Sequence, residues 1–211
     1  MSNLTTLLIL ADSRLPTGGH VHSGGVEEAV TSGLMGDLPT LRAYLRRRIR
    51  TTGLVTASIA AAVHAGTVTL GEADLETDAR TPAPAARSAS RAQGRGLVRL
   101  ARKVWPDDDW ERVGVKPHFG VAAGAAGAAS GLLPEQTALS VVYTTMTGSA
   151  TAAQRLLALD PGDVAALTFE LSDLCDQTAA EAAKELADLS DPLLDALAQK
   201  HVERDRPLFV S

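Results

Sequence analysis

The sequence predicts an all-α fold, a single compact helical bundle of about eight to ten helices over residues 1–211. Apolar residues make up 45% of the chain, but aromatic residues only 3%. Alanine and leucine supply most of the apolar bulk, which suits close-packed helices, whereas a β-sandwich needs β-branched and aromatic side chains. A chain of this length can bury roughly 70% of its unfolded surface in one core, so one domain is the simplest organisation.

Apolar residues recur at helical spacing, interrupted by glycine, proline and capping residues. The predicted helices cover residues 3–11, 25–34, 38–49, 54–63, 72–79, 85–104 and 117–131, followed by three that begin at Pro134, Pro161 and Pro192. The first two enclose a loop with a glycine pair on each side, which permits positive φ there. Ser23 is the expected cap of the second helix.

Aspartate before proline marks several helix starts. Asp37 precedes Leu38-Pro39, and Asp160-Pro161 and Asp191-Pro192 repeat the pattern of an N-cap residue with proline in the first turn. After the first of these starts, Gly53 bends or ends the helix. One long kinked helix and two stacked helices fit this stretch equally well.

Packing faces are predicted for the middle of the chain. A tight corner at 81–84 separates helix 72–79 from helix 85–104, whose expected core face is Ala92, Leu97, Leu100 and Val104. The next helix has a smooth face that lets another backbone approach closely, formed by Gly120, Gly124, Gly127 and Gly131. We therefore place that helix centrally. The helix from Pro161 is expected to continue past Leu171 to Cys175, and the chain to leave helical geometry at Pro207.

Charge and cysteine content exclude several classes of function. With 25 acidic and 20 basic residues, the net charge is -5, so no global field attracts nucleic acid or an anionic membrane. A single cysteine, Cys175, excludes an internal disulfide framework and a cysteine-based zinc cluster. The first apolar run stops at Asp12, too early for a signal peptide or a membrane span. We expect a cytoplasmic protein without nucleic-acid or membrane partners.

The common catalytic motifs are absent from the sequence. It contains no phosphate-binding loop with Gly-Lys-Ser/Thr, no GxGxxG after a strand, no GxSxG and no HExxH. Cys175 lies in an apolar helical stripe and is expected to be a small buried residue. The sequence therefore indicates an interaction protein and not an enzyme.

Two histidines in the glycine-rich loop are the one metal-like feature. In an extended segment, His20 and His22 face the same way and could share nickel or zinc. Loop histidines bonded to the backbone or to a partner are the more common alternative.

Two further segments have competing interpretations. The basic run from Arg46 to Arg50 lacks interleaved aromatics and is more typical of a solvated helix face than of a nucleic-acid site. The terminal Pro-Leu-Phe-Val is either a strap on its own domain or an anchor that enters a partner's groove.

Several motifs together resemble the urease accessory protein F family. They are Leu7-Leu8, Asp12-Ser13-Arg14-Leu15-Pro16-Thr17-Gly18-Gly19, His22-Ser23-Gly24-Gly25-Val26-Glu27, Ser90-Arg91-Ala92-Gln93-Gly94, Pro117-His118, Gly124, Ser149-Ala150, Ala153-Gln154-Arg155-Leu156 and Arg206-Pro207-Leu208-Phe209-Val210-Ser211. The resemblance covers essentially the whole chain in order. It departs where this chain has His20 in place of an aromatic, and at Leu159-Asp160-Pro161, where the family often has Gly-Gln.

The resemblance implies an all-α homodimer without a reaction of its own or a tightly bound cofactor. It implies a chaperone that binds urease accessory protein D (H), recruits the GTPase accessory protein G and helps to insert nickel into apo-urease. Nickel is then a transient cargo, and direct binding by His20 and His22 is the alternative. The expected partner-binding residues are Arg155, Arg206, Leu208 and Phe209, because a charged group beside apolar anchors gives both orientation and affinity.

Overall fold

The computed structural model describes residues 4–17, 19–205 and 207–209, except for the side chain of His20, and within these ranges it contains helices and no strand. The α-helices are α1 (Leu4–Leu10), α2 (Val26–Thr31), α3 (Leu38–Arg48), α4 (Leu54–Ala65), α5 (Leu70–Arg80), α6 (Pro84–Val104), α7 (Phe119–Ala129), α8 (Pro134–Leu157), α9 (Pro161–Glu170), α10 (Ser172–Ala182) and α11 (Pro192–His201). Since α3 and α4 are continuous through a π-helical segment, the described residues form ten helices, and the prediction of an all-α fold with about eight to ten helices is confirmed.

Helices α3 and α4 form one continuous rod. A π-helical segment, Ile49–Gly53, joins them without a break. At the start of the rod, the Asp37 carboxylate accepts the Thr40 N–H at 2.9 Å, which is the N-cap expected from the sequence. Of the two arrangements that the sequence left open, the structure has the single helix with a local distortion.

Helix α7 packs backbone to backbone against α4. A Cβ on Gly124 would lie 2.5 Å from the Ala60 carbonyl oxygen, and one on Gly120 would lie 2.9 Å from that of Thr56. These distances are shorter than any normal contact, so only glycine fits. The predicted smooth face and its central place are confirmed. Gly131 lies beyond the end of α7, at φ 69, and is not part of that face.

One hydrophobic core runs through the molecule, from Val26 on α2 to Phe209 near the C-terminus. Its largest fully buried apolar side chains are Met35, Leu41, Leu45, Ile49, Ile59, Met146, Leu167 and Leu171. Cys175 is buried among them as a free thiol, as predicted. No helix among the described residues is long and apolar enough to cross a membrane.

Three local predictions were wrong. Val104 is 52% exposed, because α6 rests on Gly94, Leu97, Val98 and Ala101, a face rotated from the predicted one. The helix from Pro161 does not continue to Cys175, since Leu171 leaves helical geometry at φ -91 and ψ 1. The last helix ends at His201 and not at Pro207.

Candidate partner-binding site

The glycine-rich loop before α2 is fixed by two side chains of α3. The Gly24 carbonyl accepts a hydrogen bond from the Tyr44 hydroxyl at 2.7 Å and one from Arg48 Nη1 at 2.8 Å. Gly24 and Gly25 have φ of 66 and 86, a backbone region that residues with a side chain rarely adopt. A Cβ on Gly24 would lie 2.5 Å from Arg48 Nη2. The loop thus needs glycine for its backbone conformation, and a side chain at Gly24 would also displace the Arg48 guanidinium.

The loop leads into α2, which carries two buried carboxylates. Glu27 and Glu28 are each only 2% exposed, which is costly unless their charges are paired. The Ser23 hydroxyl accepts the Glu27 N–H at 3.3 Å, so it helps to cap the helix although Gly25 is the N-cap residue. The helix spans Val26–Thr31 and is shorter than predicted.

Glu28 is held by basic residues of the last helix and the turn after it. Lys200 Nζ lies 2.8 Å from Glu28 Oε1, and Arg204 Nη1 lies 3.2 Å from Oε2. The hydrogen bond from Lys200 is the main reason why the pKa of Glu28 is lowered, and that from Arg204 adds to it against the effect of burial. This pairing ties α2 to α11.

Glu27 has a different set of partners, the backbone of the C-terminal segment. Its Oε1 accepts the Leu208 N–H at 2.9 Å, and its Oε2 accepts the Phe209 N–H at 3.0 Å. The carbonyl of Phe209 lies 3.2 Å from Nε2 of His201, which is itself buried. One carboxylate and one imidazole thus hold a short bent stretch of chain.

The side chains of this segment point in different directions. Phe209 is 8% exposed and joins the core, whereas Leu208 is 79% exposed. The guanidinium of Arg155, on α8, lies 5.6 Å from the centre of the Phe209 ring, within cation–π distance. The structure therefore brings together Arg155 and Phe209 of the predicted partner-binding residues and places Leu208 beside them on the surface. Arg206 lies outside the described residues.

A partly open cavity of about 320 Å³ lies next to this segment. Phe209 and Arg155 contribute to its wall, together with Arg48, Asp191 and His22. His22 is half-buried. Of the two predicted metal ligands, only this one can be placed, because the side chain of His20 lies outside the described residues.

A second ion pair supports the far side of the cavity. Arg47 binds Asp191 through two bonds of 2.7 Å, from Nε to Oδ2 and from Nη2 to Oδ1. Asp191 also caps α11, as its Oδ1 accepts the N–H groups of Leu193 and Leu194. Burial alone would raise the pKa of Asp191, but the hydrogen bonds from Arg47 and the cap outweigh it and lower that pKa.

The structure also assembles a polar cluster that the sequence did not reveal as a site. Arg91 on α6 lies 2.8 Å from Asp74 and 2.9 Å from Asp78, both on α5. His118, at the start of α7, lies with Nε2 2.9 Å from Asp78 and with Nδ1 3.0 Å from the Ser90 hydroxyl. The two carboxylates and the imidazole are close enough to hold a metal, but two guanidinium groups already pair with the carboxylates, since Arg91 binds both and Arg87 Nε lies 3.5 Å from Asp78. The cluster joins three helices.

Comparison with known proteins assigns the family. The UreF family model matches residues 36–172. The chain is 78% identical over 214 residues to the urease accessory protein UreF of Mycolicibacterium vanbaalenii, 71% identical over 211 residues to that of Mycobacterium marinum, and 67% identical over 211 residues to that of Mycobacterium tuberculosis, with 100% of both chains covered each time. The chain belongs to the UreF family.

Membership in the UreF family confirms the resemblance that the sequence motifs indicated. In the fold, the Ser90-Arg91 and Pro117-His118 motifs meet in the polar cluster, while Val26-Glu27 meets the C-terminal segment. The UreF relatives are named as accessory proteins of urease, a description that agrees with the lack of catalytic motifs in the sequence.

Sequence reasoning missed Glu27 and His201 as part of the candidate site. A signal for Glu27 was present, since two adjacent glutamates stand between Val26 and Ala29 in a short helix with an otherwise apolar inner face. His201 gave no signal, because its partner lies across a turn whose path is set by tertiary packing.

Proposed function

We propose that this chain is a non-enzymatic adaptor in urease maturation. It binds urease accessory protein D (H), recruits the GTPase accessory protein G and supports nickel insertion into apo-urease, acting as a homodimer in the cytoplasm. The observation that carries this proposal is the similarity over the full length to curated UreF proteins, at up to 78% identity in the comparisons above.

The geometry of the C-terminal segment supports an adaptor role. Leu208 presents an apolar side chain to solvent, and its neighbour Phe209 lies against the cation of Arg155. An exposed aliphatic anchor next to a charged group is the kind of feature that gives a protein interface affinity and orientation. Arg206 precedes it in the sequence and adds a second charge.

Reconstitution of urease tests the proposal. Apo-urease, accessory proteins D (H) and G, nickel, bicarbonate and GTP are combined with and without this chain, and urease activity is measured. We expect activation only when the chain is present, together with its co-elution with D (H) and G. Equal activation without the chain would refute the proposal.

A deletion locates the proposed partner-binding segment. Removal of residues 206–211 is expected to abolish co-elution with the partner proteins while circular dichroism shows unchanged helicity, since the last helix ends at His201. If the truncated chain still co-eluted, the segment would not be the binding element.

Direct nickel binding by His20 and His22 is a second candidate function. It is favoured by the position of His22, which is on the wall of the cavity and is a ligand type that nickel accepts. Calorimetric titration with Ni²⁺ compares the wild type with the His20→Ala/His22→Ala double variant. Weaker binding by the variant is expected, and equal binding by both would exclude this site.

A further inference from the structure

The C-terminal segment is attached through a few specific contacts. Pro207 and Leu208 are exposed, and within residues 207–209 only Phe209 enters the core. The backbone of the segment is held by Glu27 and His201, and the Phe209 ring lies under the Arg155 guanidinium. We refer to residues 207–209 as the strap.

The groups around Glu27 are only partly satisfied while the strap is in place. Nδ1 of His201 and Nε of Arg204 are buried without a hydrogen-bond partner. They lie 3.8 Å and 3.7 Å from Glu27, just beyond hydrogen-bond distance. Buried polar groups without partners are rare and costly in native proteins. The two Glu27 oxygens are instead bonded to the backbone N–H groups of the strap.

These contacts define two alternative sets of partners for one buried carboxylate. With the strap bound, Glu27 accepts two backbone N–H groups. With the strap released, the same oxygens are free to bond to Arg204 Nε, which removes an unsatisfied donor. The release of the strap therefore does not leave an unpaired charge, the outcome that would otherwise oppose it most strongly.

The strap also covers one part of the cavity. Phe209 lines the cavity together with Arg155 and with Leu194 of α11. Removal of the aromatic ring from this position widens the opening of the cavity next to α8.

We propose that Glu27, His201 and Arg155 form a binding site for a bent peptide segment carrying an aromatic side chain, and that the chain's own residues 207–209 occupy it as a releasable strap over the cavity. Glu27 and His201 bind the peptide backbone, and Arg155 binds the ring. The inference concerns the isolated chain and does not depend on the proposed partners.

Amide hydrogen exchange in the isolated, full-length chain tests the site. The N–H groups of Leu208 and Phe209 are the donors to Glu27, so Glu27→Gln is expected to speed their exchange by about tenfold to a hundredfold, the worth of a hydrogen bond to a charged group. Glu28→Gln is the matched control, because Glu28 is equally buried but bonds only to side chains. We expect little change at the two strap amides in this control.

A cysteine probe tests whether the strap covers the cavity. Ala152 lies on α8, lines the cavity and is buried, so an Ala152→Cys thiol in a Cys175→Ala background reports access. Glu27→Gln is expected to increase its reaction rate with a small maleimide at least severalfold. The control for general loosening is a separate chain that keeps Ala152 and Cys175. Its native thiol does not line this cavity and should react equally slowly with and without Glu27→Gln.

Three results would overturn the inference. These are unchanged exchange at Leu208 and Phe209 in Glu27→Gln, an equal increase in Glu28→Gln, and a parallel increase in the reactivity of Cys175. If exchange increased while the Ala152→Cys thiol remained slow, the strap would not cover the cavity, and that part of the inference would be wrong.

Discussion

Ala158, directly after α8, is the only non-glycine residue with positive φ among those that the structure describes. Its φ is 50 and its ψ 40, the left-handed conformation that commonly ends a helix and that glycine adopts without strain. The next residue, Leu159, donates its N–H to the Gln154 carbonyl at 3.2 Å, which completes the capping motif. This is the junction where the sequence departs from the Gly-Gln pair that the family often has.

Replacing this alanine is expected to stabilise the protein. Ala158→Gly should raise the free energy of unfolding by about 1 kcal/mol, because the left-handed conformation costs an alanine roughly that amount. Urea denaturation measures the change. Ala183→Gly is the control, since Ala183 also follows a helix but has φ -76, and glycine there should lower stability by about 0.5–1 kcal/mol. A loss of stability in Ala158→Gly would contradict this account of the junction.

The pairing of Asp191 with Arg47 gives a prediction about pH. Asp191→Asn should lower the free energy of unfolding at pH 7 by about 1–3 kcal/mol, because a hydrogen-bonded charge is lost although asparagine can still cap α11. The pKa of Asp191 is lowered in the folded state, so its contribution is present above the unfolded-state pKa of about 3.9 and is lost as pH falls through the folded-state pKa.

Chemical denaturation between pH 7 and pH 3 measures this effect. The difference between wild type and Asp191→Asn should shrink below about pH 4. Asp188→Asn serves as control, because the Asp188 side chain is 99% exposed and 3.9 Å from Arg80, and it should change stability by less than about 0.5 kcal/mol at any pH. A difference that stayed constant with pH would show that Asp191 does not act through its charge.

At the scale of the helices, the contact between α4 and α7 depends on small residues. A Cβ on Gly124 would lie 2.5 Å from the Ala60 carbonyl oxygen and 2.6 Å from Val63 Cβ. Neither the α4 backbone nor a β-branched side chain can move away cheaply. The two helices must therefore separate if Gly124 acquires a side chain.

Gly124→Ala is expected to lower the free energy of unfolding by about 1–3 kcal/mol, the usual cost of overpacking a core. This loss would exceed the gain in helix propensity of about 1 kcal/mol. Gly148→Ala is the matched control, since Gly148 lies inside α8 and a Cβ there would meet nothing within 4 Å; it should stabilise the chain. Thermal unfolding distinguishes the two, and equal shifts would contradict the close-packing argument.

The helices themselves could be predicted from the sequence to a large extent. The starts at Asp37, Asp160 and Asp191 were found because capping acts within three residues. The bonds from Asp191 to Arg47 could not be found, because they join residues that the chain separates by 144 positions. Likewise, the exposure of Val104 depends on how α6 is rotated against its neighbours, which periodicity alone does not fix.

The candidate site was predictable only in part. The tail motif and Arg155 were identified through the family resemblance, and the structure brings Phe209 to Arg155. That Phe209 lies inside and Leu208 outside follows from the bonds to Glu27, which is 181 positions from Leu208. Local patterns carry no information about such a contact.

At the scale of the whole molecule, Leu208 and Phe209 should play separate roles. Leu208→Ala is expected to weaken binding to accessory protein D (H) at least about fivefold, as removal of an interface anchor commonly costs more than 1 kcal/mol. The free energy of unfolding should change by less than about 0.5 kcal/mol, because the side chain is on the surface. Val115→Ala, at a similarly exposed position in the loop before α7, should change neither.

Surface plasmon resonance for binding and urea denaturation for stability separate the two effects. Unchanged affinity in Leu208→Ala would remove this residue from the proposed interface. Phe209→Ala, by contrast, should lower the stability of the isolated chain, because its ring belongs to the core.

The π-helical segment Ile49–Gly53 determines how the faces of α3 and α4 are turned relative to each other. One additional residue in a turn changes the angular phase between the α3 and α4 faces by roughly 100° relative to an unbroken α-helix. Helix α3 packs against α8 and α9, while α4 packs against both α7 and α8. Deleting one residue from the π-helical segment would restore regular α-helical geometry there and rotate α4 away from the glycine-lined face of α7. This short segment therefore sets the orientation of α4 relative to α3.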